Sequence, residues 1–465
     1  MKRVYGYTME KLTLGEIAAA TGGVLTGGEK DTPITDINTD SRVISDGMLF
    51  VALSGANFNG NDFAKSAIER GGVGAVVSED LDLPGAKILV PDTLKALGDI
   101  AAYYRNKFDI PFVGITGSVG KTTTKDMIAC VLKQKYNVLK TKGNFNNQIG
   151  LPLTLLRLQK ENEIGVTEMG MSAFGEIDAL SSMVKPKIGV FTNIGMSHIE
   201  KLGSRENICK AKLEMLKHIQ KGGSVVFCGD DDMLWASREE FSAFNALSYG
   251  VSNPDCTVTA KDIVYGADGT DFTVCHGADT FRVHIPVFGE HNVKNALAAY
   301  LVGLQCGVSR EEYIKALSVF EPGKMRQNIL EVGGITVIND CYNASPSSVQ
   351  AGLKILNQID KNRRKIAVLG DMLEMGDWAK EAHELVGNYV VENHVNVLIT
   401  VGRDSLNIAE GAVCAGMDKA AVHSFETTAE AIAFLDMLVQ KGDIVLVKAS
   451  RGMKLETVVE HLVKF

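Results

Sequence analysis

The sequence predicts an α/β protein with three domains: a small α/β N-terminal domain, a central doubly wound domain, and a C-terminal Rossmann-like α/β domain. Strand-like apolar segments alternate with helical segments along most of the chain, a pattern typical of parallel sheets covered by helices on both faces. The 465 residues are also too many for one hydrophobic core. Changes in the pattern place the domains at residues 1–98, 99–322 and 323–465.

In the first domain, Thr13 and Glu16 form a capping-box pattern before "IAAATGG", which predicts a short helix that ends at a glycine pair. A strand at "MLFVAL", a helix at "NDFAKSAIERGG" and a strand at "VGAVVSE" follow. We expect residues 92–107 to form a helix that leads into the second domain.

The second domain opens with an apolar strand, a glycine loop and a helix in "IPFVGITGSVGKTTTKDMIACVLKQKY". Further strands are predicted at "NVLKT", "IGVTEMG", "KIGVFTNIG" and "GGSVVFCGDD", which together indicate a parallel sheet. Between residues 245 and 287, short β-like runs with turns predict an antiparallel β appendage on this domain. The helix "HNVKNALAAYLVGLQCG" follows it.

The third domain starts near Gly323 and repeats the alternation of strands and helices. Its strands are predicted at "ITVIND", "RKIAVLGDM", "VNVLITVG", "AAVHSF" and "DIVLVKASRG", which indicates a second doubly wound sheet.

Composition argues against several classes of protein. The net charge of −8 disfavours a general nucleic-acid binder, which normally carries a basic surplus. We find neither a signal peptide at the start nor an apolar run long enough to span a membrane. The eight cysteines form no C-x-x-C pair, which disfavours a zinc site and indicates buried thiols in a reducing compartment. We therefore expect a cytoplasmic protein.

The clearest motif is the glycine loop, which has the strand before it and the helix after it that a phosphate-binding loop needs. Its backbone N–H groups can approach phosphates, Lys121 can reach the terminal phosphates, and the Thr122 hydroxyl can ligate Mg²⁺. The first glycine of the usual eight-residue pattern is replaced by Ile115. The alternative is a glycine-rich turn with a chance lysine. The predicted loop residues are Gly117, Ser118, Val119, Gly120, Lys121, Thr122 and Thr123.

Two polar residues follow strand ends of the same predicted sheet. Glu168 ends the strand in "VTEMG", and His198 comes just after the strand in "FTNIGMSH". Ligands of doubly wound sheets bind outside the carboxyl ends of the strands, and a carboxylate is a suitable Mg²⁺ ligand there. The alternatives are an exposed glutamate and a surface or capping histidine.

The stretch "ENICKAKLEMLKHI", residues 206–219, predicts one amphipathic helix. Lys212 falls in the middle of its apolar face, whereas Lys210 falls on the opposite side. The simple interpretation is a lysine whose stem is packed and whose ammonium reaches water. The alternative is a lysine modified by CO₂, because a carbamate is anionic and can ligate a metal ion through oxygen.

Together the motifs resemble those of the Mur ligase family of ATP-dependent amide-forming enzymes, along essentially the whole chain. The third-domain segments "VLGDMLEMG" and "VKASRG" are similar to the subgroup that adds D-alanyl-D-alanine to UDP-N-acetylmuramoyl-tripeptide. The Asn-Pro-Arg signature of diaminopimelate-adding members is absent. The residues that carry the resemblance are "TGSVGKTTTK", "KGNFNNQIGLPLTLL", "TEMGMS", "TNIGMSHIEKLGS", "KAKLEML", "GEHNVKNALAA", "GKMR" and "NDCYNASPSS".

The resemblance implies two Mg²⁺ ions and a role for each matching residue. Thr122 would hold one ion, Glu168 would share in binding metal, and His198 with carbamylated Lys212 would hold the second ion. The catalytic residues implied are Lys121, Glu168, His198, carbamylated Lys212 and Arg326. Further residues implied at the ATP site are Asn292 and Asn295 near the adenine, and Arg326, Asp340, Tyr342 and Asn343 from the third domain.

For the substrate, the resemblance implies that "DSRVISDGMLFVALSG" in the first domain recognises UDP. An arginine there, Arg42, can pair with a pyrophosphate. The candidate substrate residues are Ser41, Arg42, Thr141, Asn144, Asn147 and Ser172.

We therefore expect an ATP-dependent ligase for UDP-N-acetylmuramoyl-tripeptide and D-alanyl-D-alanine that acts through an acyl phosphate, without nucleic-acid partners and as a monomer. Alternatives are another Mur-type amino-acid ligase, a folylpolyglutamate-type ligase, or a protein that uses nucleotide only as a switch. Whether the third residue of the tripeptide is lysine or diaminopimelate stays open.

Overall fold

The computed structural model describes residues 9–55, 58–266, 268–323 and 325–464. In the first part of the chain the capping box is confirmed, because Glu16 N donates to Thr13 Oγ1 and Thr13 N donates to Glu16 Oε2. Gly22, with φ of 65°, ends that helix as predicted. The elements are β1 (Leu12–Thr13), α1 (Leu14–Thr21), β2 (Val24–Thr26), β3 (Pro33–Ile34), β4 (Asp36–Asn38), β5 (Met48–Val51), α2 (Ala64–Glu69), β6 (Gly74–Val77), β7 (Ala86–Leu89) and α3 (Thr93–Arg105).

Five of these strands form a sheet with the order β2-β7-β6-β5-β4, and β1 pairs with β3. Only β2 runs antiparallel to its neighbour in the five-stranded sheet. Alternate residues of β5 and β6, such as Phe50 and Ala75, pack against Ala64 and Ala67 at the start of α2. The small α/β unit expected at the N-terminus is therefore confirmed.

The middle of the chain contains every strand predicted there. Two 3₁₀ turns occur in this part of the chain, at Glu214–His218 and Ser237–Phe241. A similar turn at Gly60–Phe63 precedes α2 in the first part of the chain. The elements are β8 (Phe112–Thr116), α4 (Lys121–Leu132), β9 (Val138–Lys140), α5 (Gly150–Leu155), β10 (Ile164–Glu168), α6 (Glu176–Val184), β11 (Ile188–Phe191), α7 (Ile199–Leu202), α8 (Arg205–Leu213), β12 (Ser224–Cys228), α9 (Asp232–Ala236), β13 (Asn245–Gly250), β14 (Val258–Tyr265), β15 (Thr270–His276), β16 (Asp279–Ile285), α10 (Glu290–Gln305) and α11 (Arg310–Ser318).

A nine-stranded sheet has the order β16-β15-β14-β13-β12-β11-β8-β10-β9. The expected antiparallel appendage is β14–β16, where β14 pairs with β15 and β15 with β16 in antiparallel register. The expectation needs one correction, because β13 pairs with β14 in parallel and therefore continues the main sheet.

The helix predicted over residues 206–219 is also corrected: α8 ends at Leu213 and continues as the 3₁₀ turn. Two contacts explain the tighter winding. The Glu214 carboxylate accepts the backbone N–H of Gly175, at 2.9 Å, and so caps the start of α6. Met215 packs over Gly114, where an added Cβ would lie 3.1 Å from its sulfur.

The third part of the chain follows the predicted alternation, with one strand that the sequence analysis missed. This strand, β17, forms a hairpin with β18 through Gly333 and Gly334, which have φ of 59° and 88°. The elements are β17 (Asn328–Val332), β18 (Ile335–Asn339), α12 (Pro346–Ile359), β19 (Lys365–Gly370), α13 (Ala379–Glu392), β20 (Val397–Val401), α14 (Leu406–Cys414), β21 (Val422–Phe425), α15 (Thr428–Leu438), β22 (Ile444–Lys448) and α16 (Glu456–Leu462).

These strands form a six-stranded sheet with the order β17-β18-β22-β19-β20-β21, parallel except for β17. Side chains alternate between two buried clusters: Ala367 and Leu369 pack on the side of α12 and α13, whereas Ile366 and Val368 pack on the side of α15 and α16. A core on both faces is the arrangement of a doubly wound sheet.

By their contacts the described residues group into two compact units. One unit comprises the described residues of Met1–Ile115, Lys135–Gly189 and Leu213–Ser224, and the other those of Thr116–Gln134, Val190–Lys212 and Val225–Phe465. Within the described ranges, no helix combines the length and apolarity needed to cross a membrane.

Candidate active site

The predicted phosphate loop joins β8 to α4, and Gly120 begins the helix in the left-handed region, with φ of 84°. The helix has no side-chain cap at this end. Its first N–H groups are therefore oriented toward the loop, which is the usual arrangement for binding an anion. Lys121 folds over the loop, and its Nζ donates to the carbonyl oxygens of Gly117, at 2.7 Å, and Ser118, at 3.2 Å. Thr122 is buried.

Two residues that the sequence analysis missed support this loop from the end of β11. The Asn193 side chain accepts the N–H of Val119, at 2.9 Å, and donates to the carbonyl oxygen of Val119, at 3.1 Å. The Thr192 hydroxyl donates to the same carbonyl oxygen, at 2.7 Å. Their position directly after a strand of the same sheet was the available signal, but nothing in the sequence specifies that they contact Val119.

The two asparagines predicted near the adenine lie in the first turns of α10 and are both buried. Asn295 Oδ1 accepts the Thr124 hydroxyl of α4, at 2.9 Å, and its Nδ2 donates to Asn292 Oδ1, at 3.1 Å. Asn292 in turn donates to Gln327, at 3.1 Å. This hydrogen-bonded chain connects the start of α10 with the start of α4.

Lys212 is 1% exposed, so its ammonium does not reach water, and the simple interpretation of its place on the helix is wrong. Lys210 is exposed, as predicted. Burial lowers the pKa of Lys212 well below its ordinary value, and the nearby positive charge of Lys121 lowers it further. Among the described residues, no carboxylate lies within ion-pair distance of Lys212. Burial thus disfavours the charged form of the Lys212 amine.

His198 lies close enough to Lys121 and Lys212 for both lysines to influence its pKa. Burial lowers the pKa of His198, and the carboxylate of Glu374 opposes that effect. Nδ1 of His198 lies 2.6 Å from Glu374 Oε2, although the carboxylate lies off the direction of a regular hydrogen bond. The structure thus brings together three of the predicted catalytic residues, Lys121, His198 and Lys212, and adds Glu374.

Glu168 lies in the other unit and ends β10, as predicted. Its side chain is 2% exposed, and Asn146 Nδ2 donates to Oε1 at 2.8 Å. Its backbone N–H donates to the Thr141 hydroxyl at 3.0 Å. Thr141, expected at the substrate, is completely buried and supports Glu168 here. Asn146 was missed, although it lies in the same "KGNFNNQ" segment as the two asparagines that were selected.

Arg326 stacks on Tyr342, with its guanidinium carbon 3.8 Å from the ring centroid. The residues on either side of it, Met325 and Gln327, both have positive φ, of 58° and 55°. Positive φ is uncommon for residues other than glycine, and it clusters at functional sites. Gln327 also accepts from Asn292, so the segment that carries Arg326 contacts the start of α10.

Asp340 follows β18 and is paired with Lys448 at the end of β22, with Nζ 2.6 Å from Oδ2. Both side chains are largely buried. Lys448 Nζ also donates to the carbonyl oxygen of Asn343, at 2.9 Å, and so holds the whole "NDCYN" turn. Lys448 lies within the quoted "VKASRG" segment, but the sequence analysis gave it no role.

The remaining predicted substrate residues have local partners. Arg42 is exposed and forms a two-pronged ion pair with Asp40, at 2.8 Å for each bond, which lowers the pKa of that carboxyl. Asn147, which precedes α5, accepts the N–H of Gly150, the first residue of that helix, at 2.8 Å. The Ser172 N–H donates to Glu176, at 2.6 Å. Ser41 is partly exposed, and Asn144 is exposed.

The described residues contain no group of three or more histidine, cysteine, aspartate or glutamate side chains arranged to hold a metal ion. A metal ion at this site would therefore need donors besides such side chains, for example a threonine hydroxyl, a modified lysine or a bound phosphate.

Three family profiles match the sequence in order. The profile described as "Mur ligase family, catalytic domain" matches residues 33–105, "Mur ligase middle domain" matches residues 115–303, and "Mur ligase, glutamate ligase domain" matches residues 325–451.

Individual proteins are similar along the whole chain. UDP-N-acetylmuramoyl-tripeptide–D-alanyl-D-alanine ligase of Bacillus subtilis strain 168 is 39% identical over 98% of this chain and 99% of its own length. A crystal structure of MurF from Acinetobacter baumannii superposes with a TM-score of 0.92 at 33% identity, covering 98% of this chain and 100% of that one. MurF ligase from Thermotoga maritima in complex with ADP gives a TM-score of 0.84 at 29% identity, covering 92% and 97%.

Proposed function

The chain belongs to the Mur ligase family, and we propose that it is an ATP-dependent ligase that joins D-alanyl-D-alanine to UDP-N-acetylmuramoyl-tripeptide. The products are UDP-N-acetylmuramoyl-pentapeptide, ADP and phosphate, and the reaction belongs to cytoplasmic peptidoglycan precursor synthesis. The substrates are those in the names of the relatives. The observation that carries the proposal is the grouping of His198 and the buried Lys212 with the loop lysine Lys121.

The reaction proceeds in two displacements. An oxygen of the tripeptide's terminal carboxylate attacks the γ-phosphorus of ATP, ADP leaves, and an acyl phosphate forms. The amine of D-alanyl-D-alanine then attacks the acyl carbon, and the tetrahedral intermediate expels phosphate as the amine loses a proton. Phosphorylation is needed because a carboxylate has no adequate leaving group.

The protein contributes mainly position and charge. Lys121 lies over the phosphate loop, where its ammonium offsets the charge of the terminal phosphates. Arg326 supplies a second cation from the third domain, and stacking on Tyr342 restricts its orientation. We propose that closure of the third domain brings Arg326 and Asp340 to the nucleotide, with Tyr342 and Asn343 beside them.

We propose two Mg²⁺ ions, for which the donor groups of this chain are suitable in kind if Lys212 is carbamylated. Burial disfavours the charged form of Lys212, and a carbamate formed there with CO₂ would supply an anionic oxygen where the described residues hold no cluster of histidine, cysteine and carboxylate ligands. Thr122 would hold one ion, Glu168 would share in binding metal, and His198 with the carbamate would hold the second ion. Mg²⁺ held by these residues would neutralise developing charge on the transferred phosphoryl group.

The other predicted residues keep their proposed roles. Asn292 and Asn295 lie near the adenine, the first domain binds UDP through Ser41 and Arg42, and the third domain receives the dipeptide. Thr141, Asn144, Asn147 and Ser172 are proposed at the muramoyl or peptide part of the substrate. We propose domains at residues 1–98, 99–322 and 323–465, and a monomeric enzyme.

The test is ADP release by the purified protein with ATP, Mg²⁺ and UDP-N-acetylmuramoyl-tripeptide, with and without D-alanyl-D-alanine. We expect release to require the dipeptide and pentapeptide to accumulate with it. Parallel reactions with lysine- and diaminopimelate-containing tripeptides identify the third residue. ADP release that ignores both substrates contradicts the proposal, and release stimulated only by a folate and glutamate supports the folylpolyglutamate alternative.

A further inference from the structure

His198 and Glu374 meet in an unusual way, because both residues hold positive φ, of 66° and 63°. This conformation is uncommon for residues other than glycine and persists where the surrounding structure fixes it. Nδ1 of His198 is buried and lies 2.6 Å from Glu374 Oε2, although the two groups are not aligned as a regular hydrogen bond. The contact joins the middle part of the chain to the third-domain segment "LGDMLEMG".

The segment that carries Glu374 is fixed by hydrogen bonds at the ends of three strands of the third-domain sheet. Asp371 Oδ1 accepts the N–H of Ser405, at 2.7 Å, and its carbonyl oxygen accepts the N–H of Ser450, at 3.1 Å. The Leu373 N–H donates to the Ser450 hydroxyl, at 2.9 Å. Glu374 is therefore presented by a rigid turn, although its side chain is exposed.

A second contact keeps this turn against the residues that follow His198. Gly376, with φ of 53°, packs on Glu200, and an added Cβ would lie 2.8 Å from Glu200 Cγ. Two separate contacts thus place the Glu374 carboxylate at Nδ1 of His198 and leave Nε2 as the ring nitrogen that Glu374 does not contact.

A carboxylate that accepts the proton of one imidazole nitrogen leaves the lone pair on the other nitrogen. Such carboxylate–histidine pairs orient metal-binding histidines and raise their basicity. We propose that Glu374 is a positioning residue: it holds His198 as the Nδ1-protonated tautomer and presents Nε2 to the metal ion. Since Glu374 belongs to the third domain, the metal site is complete only when that domain is in contact with His198. The metal-binding part of this inference rests on the proposed function. The contact between Glu374 and His198, and the tautomer of His198, do not depend on it.

The test compares Glu374→Ala and Glu374→Gln with Asp377→Asn, which removes an exposed carboxylate three residues away in the same segment. Nitrogen-15 NMR of the histidine rings, without nucleotide or metal, reports the tautomer, and the His198 signal is assigned with His198→Gln. Mn²⁺, a paramagnetic substitute for Mg²⁺, is titrated by EPR in the presence of a non-hydrolysable ATP analogue.

We expect Glu374→Ala to lose the Nδ1-protonated tautomer and to bind Mn²⁺ about 10–100-fold more weakly. Glu374→Gln retains an acceptor, so it should keep the tautomer and lose less affinity, and Asp377→Asn should match the wild type. An unchanged tautomer in Glu374→Ala overturns the inference, as does unchanged Mn²⁺ affinity. Failure of the proposed function gives a different result. In that case ADP release would not depend on D-alanyl-D-alanine, whereas the His198 tautomer would still depend on Glu374. Thermal unfolding confirms that the compared variants are folded.

Discussion

At the scale of single residues, Lys212 is the position at which the sequence and the structure are most informative. The helical pattern placed a lysine on an apolar face, and burial of the whole side chain explains why its charge is costly there. We expect Lys212→Ala to abolish ligase activity, measured as ADP release, because it removes the proposed carbamate ligand. Bicarbonate should not restore activity to the variant, whereas a small carboxylic acid should restore part of it.

Lys210→Ala is the matched control, since Lys210 lies on the same helix and is exposed. It should retain full activity. Wild-type protein incubated with ¹³C-bicarbonate should show a carbamate resonance in ¹³C NMR that Lys212→Ala lacks. Full activity in Lys212→Ala would mean that Lys212 is a packing residue.

Asn193 gives a prediction that only the structure provides. Asn193→Ala removes both hydrogen bonds to Val119 and leaves a loop N–H without its acceptor. Loss of such a partner costs about 1–3 kcal/mol, and because that cost falls on the binding conformation of the loop, we expect ATP-analogue affinity to fall roughly 5- to 150-fold in calorimetric titrations. Asn407→Ala, on α14, is the control and should bind as the wild type does. Equal binding by both variants would show that the loop holds its shape without Asn193.

Residues of the candidate site were predictable where the local sequence around one residue is distinctive. Lys121 follows a glycine loop, Glu168 ends a strand, and Lys212 interrupts an apolar face. Residues that act by contacting a partner were not predictable. The roles of Asn193, Asn146 and Lys448 depend on contacts with residues that lie far away in the sequence. Glu374 is the clearest example, since its segment was recognised but its partner His198 lies 176 residues earlier.

At the scale of elements, the turn from β8 into α4 depends on Gly120. Gly120→Ala would hold alanine at a φ of 84°, which costs about 1–2 kcal/mol, and its Cβ would lie 3.1 Å from Asn295 Oδ1. We expect a lower melting temperature and weaker ATP-analogue binding. Gly277→Ala is the control, because it has φ of 58° and open space around the added Cβ. The Gly277→Ala variant should have a lower melting temperature but an unchanged affinity for the ATP analogue. Similar affinities for the two variants would contradict a special role of Gly120.

Most elements were predictable because the chain signals them locally. The capping box at Thr13, the apolar strands and the glycine stops all produced the expected structure. Two errors came from contacts that local pattern does not contain. The helix beyond Leu213 tightens because Glu214 caps α6, and β13 joins the parallel sheet although its sequence resembles the strands of the appendage.

At the scale of the whole molecule, the helix that carries Asn292 and Asn295 is held by ties to distant segments of the chain. Asp230, after β12, is one such tie. Its carboxylate pairs with Lys294 of α10, at 2.9 Å, and accepts the N–H groups of Val251, at 2.8 Å, and Asn253, at 2.8 Å. It therefore connects the central sheet, the turn before β14 and the helix that carries Asn292 and Asn295.

This tie has a pH dependence whose sign follows from the pKa. Burial raises the pKa of Asp230, but the pairing with Lys294 and the backbone N–H groups lower it more, so the folded-state pKa lies below the ordinary value of 3.8. The unfolded chain then binds more protons than the folded chain as the pH falls, so the stabilisation is present above pH 3.8 and is lost as the pH falls through the folded-state pKa.

We expect Asp230→Asn to lower the free energy of unfolding by about 1–3 kcal/mol at pH 7 in urea titrations. The difference from wild type should persist at pH 4.5 and shrink at pH 3, whereas Asp255→Asn, an exposed change in the neighbouring turn, should differ little at any pH. A difference of equal size at pH 3 and pH 7 would show that Asp230 acts through its shape and not through its charge.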